Sequence, residues 1–251
     1  MSTSPKPPSL VLLPGLAGDA RMWADVHSQL DLPLAVTVSQ AHSHTDDTSI
    51  SAMARRLLAE TDGPLLLCGA SMGGMVAMEA VHLAPERIAG LVLCGTNARA
   101  ETPEMRALRT DAIALFEAGD FADLIRANVE FAFHPDSLRR PGLVQRYVDF
   151  ALDAGGAQLA RQNLAVTMRP DARVHLPQCA CPVLVLCGDS DQLTPPALSE
   201  EIAALVPHAE LLWVGRCGHM LTMEHPEAVA AQISRWLHQQ AWVPAKVSTL
   251  H

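Results

Sequence analysis

Apolar positions along the chain fall into two patterns that alternate. Short, mostly apolar runs stand at residues 10–13, 34–38, 65–68, 88–94, 182–187 and 210–214. Runs of that length with little polar alternation read as strands buried on both faces of a sheet. Between them, at about 19–30, 49–60, 75–84, 195–206 and 226–239, apolar residues recur at helical spacing. Strands alternating with helices of this length mean βαβ units, hence a parallel sheet covered by helices on both faces.

The alternation stops between about residues 98 and 170, where four helical stretches follow one another at 103–118, 121–131, 143–154 and 157–168. Gly119-Asp120, His134-Pro135, residues 139–142 and Gly155-Gly156 separate them. The predicted organisation is a core domain in two parts, 10–97 and 171–240, interrupted by a helical insertion at 98–170. Residues 1–9 are Ser/Pro-rich and read as disordered, and 241–251 carry no clear pattern.

Composition narrows the function. A chain of 251 residues with 49% hydrophobic residues can bury one large α/β core. A net charge of -9, with lysine only at Lys6 and Lys246, argues against a nucleic-acid partner, because phosphate neutralisation needs clustered cations. No apolar run approaches the roughly 18 residues that span a bilayer. The apolar residues after Lys6 are broken by Pro14 and Gly15 and read as a strand rather than a secretion signal. Cys68, Cys94 and Cys187 close predicted core strands, and reduced thiols there fit a cytoplasmic protein. Cys179 and Cys181 are too closely spaced for a zinc knuckle and read as structural. The loop 39–48, with His42, His44, Asp46 and Asp47, lacks fixed ligand spacing and reads as solvated. No metal and no cofactor are expected. All five Phe residues and the single Tyr fall inside the insertion, which suggests a lid over an apolar cleft, or rings that hold its helices together.

One run carries chemistry. Leu65-Leu66-Leu67-Cys68-Gly69-Ala70-Ser71-Met72-Gly73-Gly74 passes from strand through a glycine-bracketed serine into a helix. Gly69 and Gly73 permit the strained turn that lifts the Ser71 hydroxyl clear of the sheet's carboxyl edge, a G-x-S-x-G nucleophile elbow. The alternative is a phosphate-cradling turn, but no Lys follows and neither phosphate-loop spacing fits.

A serine hydroxyl is a weak nucleophile at neutral pH and needs a histidine base oriented by an acid. After an elbow the expected order is serine, acid, histidine. Asp191, in Gly188-Asp189-Ser190-Asp191-Gln192-Leu193-Thr194-Pro195, and His219, in Gly215-Arg216-Cys217-Gly218-His219, each follow a predicted strand, where open α/β sheets place their sites. Asp189 is the alternative acid, or a cap for its loop. A histidine base predicts kcat/KM falling with acid near its unperturbed pKa of about 6.5. Cys217 lies close enough to His219 for thiol reagents to inhibit by bulk. The N–H of Met72, directly after the nucleophile, is the first expected oxyanion donor.

Three motifs in this order resemble the capped α/β-hydrolase-fold enzymes, from Leu10 to about His238. The resemblance implies an α/β-hydrolase fold with about six mostly parallel strands flanked by helices, residues 34–38 near an edge, and 98–170 as a four-helix cap. It assigns the acid to Asp191, at the fourth position of G-x-x-D-x-x-x-P. It places His219 in a loop followed by Glu224-His225-Pro226 and makes the N–H of Leu16 the second oxyanion donor. The family usually has His-Gly where this chain has Pro14-Gly15, so a supporting imidazole is absent while the donor remains. Met75, Phe131, Tyr147 and Met220 are the expected substrate contacts.

A serine nucleophile excludes the branches that use aspartate. Carboxylic ester hydrolysis through an acyl-enzyme, on small to medium acyl or alcohol groups, is the first reading. Ser71-Met72-Gly73-Gly74-Met75-Val76 and Ala84-Pro85-Glu86-Arg87-Ile88 are similar to 3-oxoadipate enol-lactonases and carrier-protein methyl esterases, which makes a lactonase the alternative. Carbon-carbon bond hydrolases and cofactor-free peroxidases share the triad, and a ligand receptor on the same fold is a third class. Ten Arg lie in 99–173 beside eleven acidic residues, so that surface is near neutral, with Arg139, Arg140 and Arg161 as candidate anion contacts. The expected partner is a small-molecule ester or lactone, without nucleic acid or membrane, and the chain is expected as a monomer or homodimer.

Overall fold

The six apolar runs become six strands: β1 Ser9–Leu13, β2 Val36–Val38, β3 Leu65–Ala70, β4 Ile88–Cys94, β5 Val183–Gly188 and β6 Glu210–Val214. The structure, a computed structural model, describes residues 8–30, 32, 34–38, 47–240 and 242. Most of the 39–48 loop and most of both termini therefore lie outside the described residues. The strands lie in the order β2-β1-β3-β4-β5-β6, and every neighbouring pair is parallel, so the sheet is fully rather than mostly parallel among the described residues. β2 is an edge strand, as the family resemblance implies.

Side chains alternate across each strand and sort into two layers. Leu10, Leu12, Leu66, Val92 and Leu184 meet Trp23, Val26 and Trp236 on one face. Val11, Leu13, Leu67, Leu91 and Val185 meet Ile50, Met53, Leu57 and Val76 on the other. α1 (Ala24–Gln29) packs on α9 (Pro226–Gln239), and α2 (Ile50–Glu60) on α3 (Met72–Leu83). The helix expected over 19–30 is broken: Asp19 caps a 3-10 turn, its Oδ1 accepting from the Arg21 N–H at 2.8 Å, and α1 begins only after the buried Trp23.

Between β4 and β5 stand α4 (Pro103–Ala118), α5 (Ala122–Ala132) and α6 (Leu143–Thr167). Gly155, at φ 74 and ψ 158, kinks α6 where a break between two helices was expected. A Cβ on Gly156 would lie 2.1 Å from the Phe116 carbonyl oxygen, so this glycine lets α6 touch α4. α7 (Pro196–Leu205) and α8 (Leu221–Glu224) complete the chain order.

This topology places a crevice. The chain leaves β1 toward β2 on one side and returns as β3 on the other, so the loops after β1 and β3 diverge above adjacent strand ends. Ligand sites of open α/β sheets form at such reversals.

Candidate active site

Ser71 sits in the turn between β3 and α3 with φ 52 and ψ -116, a conformation that a residue with a side chain holds only when its surroundings impose it. They do. Its N–H donates to the Cys94 carbonyl at 2.9 Å, and its own carbonyl accepts from the Gly74 N–H at 3.0 Å and the Thr96 hydroxyl at 2.7 Å. The flanking glycines are steric necessities: a Cβ on Gly69 would stand 2.3 Å from the Gly73 oxygen, and one on Gly73 would stand 2.2 Å from that of Leu13.

The loops after β5 and β6 bring two more side chains to this turn. His219 Nε2 lies 3.0 Å from Ser71 Oγ, and its Nδ1 lies 2.9 and 3.1 Å from the two Asp191 oxygens. An ionised carboxylate only accepts, so Nδ1 carries the proton and Nε2 is left to take one from the serine. Burial pulls the His219 pKa down, but the Asp191 charge and hydrogen bond, with Glu224 adding to them, outweigh it and hold it above 6.5. Burial likewise pushes the Asp191 carboxyl up, and the His219 charge, the His219 bond and the Thr194 bonds more than reverse that.

Several supports of this pair escape any local motif. Asp191 accepts from the N–H groups of Leu193 and Thr194 at 2.9 and 2.8 Å and from the Thr194 hydroxyl at 2.7 Å. Asp189, the alternative acid, accepts instead from the N–H groups of Arg216 and Cys217 and caps that loop. The His219 and Met220 N–H groups donate to the Ala132 carbonyl at the end of α5, at 2.9 and 3.1 Å. The buried Glu224 carboxylate accepts from the N–H groups of Gly218 and His134 at 3.0 and 2.9 Å, while Arg140 donates to the Glu224 carbonyl. Glu224 and Thr194 stand inside stretches that sequence reading quoted, but their roles need partners from elsewhere in the chain.

The loop after β1 completes the turn's surroundings. A Cβ on Gly15 would lie 3.1 Å from Ser71 Cβ, a tight contact, so glycine lets this loop lie close against the serine. Ala17, at φ 61, donates its N–H to Gln162 Oε1 of α6 at 2.8 Å. The Leu16 N–H is thus carried on a strand-end loop beside Ser71, and the Met72 N–H opens α3 on the same serine, at the positive end of that helix.

The alpha/beta hydrolase family matches residues 10–232 of the chain. The chain belongs to that family. Among curated relatives, a pimeloyl-[acyl-carrier protein] methyl ester esterase from Aromatoleum aromaticum is 30% identical over 247 residues, covering 90% of this chain and 96% of the relative. Among solved structures, a thermophilic esterase from Thermogutta terrifontis is 26% identical with a TM-score of 0.85, covering 94% of this chain and 92% of its own. The enol-lactonase from Burkholderia xenovorans LB400, 23% identical with a TM-score of 0.84 and coverage of 93% and 92%, shares the fold.

In this alpha/beta hydrolase the expected substrate contacts are scattered. Met220 is buried beside His219. Met75, one turn into α3 from Ser71, lines a small cavity with Ile50, Met78, Glu79, Asn97 and Arg169. Tyr147 is buried, its ring edge-on to Phe133 and Phe150 and its hydroxyl accepting from the Asn128 amide at 3.0 Å. Phe131 is 46% exposed on α5. Of the candidate anion contacts, Arg139 pairs with Asp136, whereas the Arg161 Nε is buried without a hydrogen-bond partner among the described residues. The expectation for Cys217 is corrected: the thiol is fully buried, and burial with the nearby carboxylates Glu224, Asp191 and Asp189 pushes its pKa far up, so it offers thiol reagents neither access nor thiolate. No helix among the described residues is long and apolar enough to cross a membrane, and none of their His, Cys, Asp and Glu clusters could hold a metal ion.

Proposed function

We propose that this ester-bond hydrolase cleaves carboxylic esters of small to medium acyl or alcohol groups through a covalent acyl-enzyme on Ser71. The observation that carries the reading is the continuous relay from Ser71 Oγ through His219 to Asp191, at 3.0 and 2.9 Å. In the first step Ser71 Oγ attacks the ester carbonyl carbon and its proton passes to His219 Nε2. The carbonyl electrons move onto oxygen, where the N–H groups of Leu16 and Met72 receive the charge. Collapse breaks the ester C–O bond, and the leaving alkoxide takes the proton from Nε2. Water then attacks the acyl-enzyme, giving its proton to the same nitrogen, and the carboxylic acid leaves as Ser71 recovers its hydrogen. Asp191 stays ionised throughout and holds the imidazole tautomer.

Met75 and Met220, with adaptable thioethers, and Phe131 and Tyr147 of the insertion are the proposed contacts for the acyl or alcohol group. The relative from Aromatoleum aromaticum is named for a methyl ester, which supports esters ahead of lactones. The insertion at 98–170 is proposed as the cap over this cleft, and the reaction needs no cofactor. The test is hydrolysis of p-nitrophenyl acetate and butyrate, with small lactones alongside, by the wild type and Ser71→Ala. Loss of turnover by roughly 10³-fold or more in the variant is expected. Equal slow rates in both proteins would favour a binding protein on the same fold.

A further inference from the structure

The loop after β1 must present one N–H at a fixed point, yet it holds itself weakly. Pro14 has no N–H to give. The Gly15 N–H donates to the Met22 thioether, at 3.2 Å, a weak acceptor. The Gly18 N–H to Gly15 carbonyl bond, at 3.0 Å, orients the peptide plane that carries the Leu16 N–H. The next plane, which carries the Ala17 N–H, has its acceptor outside the loop, and Ala17 itself is held at φ 61, where a residue with a Cβ stays only under constraint.

That constraint comes from the helical insertion. Gln162 is 1% exposed, in a row on α6 whose neighbours Leu159 and Val166 are buried and apolar. An amide buried in such a row is costly unless it is hydrogen-bonded, and its Oε1 accepts from the Ala17 N–H at 2.8 Å across 145 positions of sequence. We infer that Gln162 is a positioning residue for the reaction: by fixing the Ala17 peptide it aims the Leu16 N–H at the developing oxyanion. The inference rests on the acyl-enzyme reading above. It makes the insertion part of the catalytic apparatus, since a helix beyond β4 sets the geometry of a loop beyond β1. Displacing a transition-state donor by a fraction of an ångström weakens it while leaving ground-state binding largely intact.

Gln162→Met keeps the side-chain length and removes the acceptor. On p-nitrophenyl butyrate its kcat is expected to fall roughly tenfold or more, with KM within about twofold of wild type. The acid limb of kcat/KM should not move, because the His219–Asp191 contact is untouched. Affinity for butylboronic acid, whose serine adduct places a boron-bound oxygen where the oxyanion forms, should fall by a similar factor. Gln162→Glu, which keeps an acceptor of the same reach, should retain more kcat than Gln162→Met. Should Gln162→Met yield no folded protein, Gln162→Asn, polar but one methylene short, carries the same comparison. A kcat within twofold of wild type, or a loss of kcat with boronate affinity unchanged, overturns the inference. Turnover persisting in Ser71→Ala would instead overturn the acyl-enzyme reading on which it rests.

Discussion

Asp191 accepts from four donors at once: Leu193 N–H, Thr194 N–H, the Thr194 hydroxyl and His219 Nδ1–H. A carboxylate can accept all of them, whereas an amide nitrogen cannot accept any. Asp191→Asn should therefore reorient His219 and lower kcat by roughly 10⁴-fold, the size seen when a triad aspartate becomes asparagine, as read by initial rates on p-nitrophenyl acetate. The same carboxylate decides the pH profile. In the proposed reaction His219 works as a neutral base, and its pKa stands above 6.5 because the Asp191 and Glu224 charges outweigh burial. Wild-type kcat/KM should thus fall as pH drops through a midpoint above 6.5. Removing the Asp191 charge leaves burial less opposed, so the residual activity of Asp191→Asn should show that limb at lower pH. A wild-type midpoint below 6.5 in a titration from pH 5 to 9 would contradict this balance.

The turn between β3 and α3 and the loop after β1 are packed backbone to backbone, which makes the elbow intolerant of even one carbon. Gly73→Ala would drive a methyl to 2.2 Å from the Leu13 carbonyl oxygen, which only a backbone shift can relieve. Destabilisation of about 1–3 kcal/mol is expected in urea unfolding, with esterase activity lost as the end of β1 moves. These elements were readable in the sequence for physical reasons. The four inner strands, β1, β3, β4 and β5, are buried on both faces and have almost no polar positions, the elbow demands glycines at fixed offsets, and the loops bearing Asp191 and His219 carry their own turn residues. Gly155 announced the kink in α6 in the same way. What stayed unreadable lacks local spacing. Gln162 meets Ala17, Glu224 meets His134, and Ala132 meets His219 only because the fold brings distant segments together. The upward shift of His219 was hidden for the same reason, since one of its causes is a carboxylate five residues on that is held by the His134 N–H of the insertion. The break at Trp23 was missed because helical periodicity continues through it while the ring turns into the core.

Within the insertion, Arg169, just after α6, is tied back to the segment that leads into α4. Its guanidinium donates to Glu101 at 2.7 Å and to the Arg99 and Val166 carbonyls, and both side chains of the Arg169–Glu101 pair are nearly inaccessible to water. Arg169→Met would leave the buried carboxylate with Arg109 alone, and a loss of about 3–5 kcal/mol is expected from the denaturant midpoint. Burial pushes the Glu101 pKa up, but Arg169 and Arg109 bring it below 4.5. The pair's contribution is therefore complete above pH 4.5 and is lost as pH falls through the lowered value, a decline that urea midpoints between pH 3 and 6 should reveal. Three separate fastenings tie the insertion to the core: Gln162 to Ala17, Ala132 to the loop bearing His219, and Asp153 and Arg146 of α6 to Arg21 and Asp25. A layer held at three separate points has no single axis about which to swing, so the proposed cap should act as a fixed roof with substrates coming in under its eaves. Turnover paced by bond-breaking rather than by opening should then be indifferent to solvent viscosity, with kcat unchanged as sucrose thickens the medium.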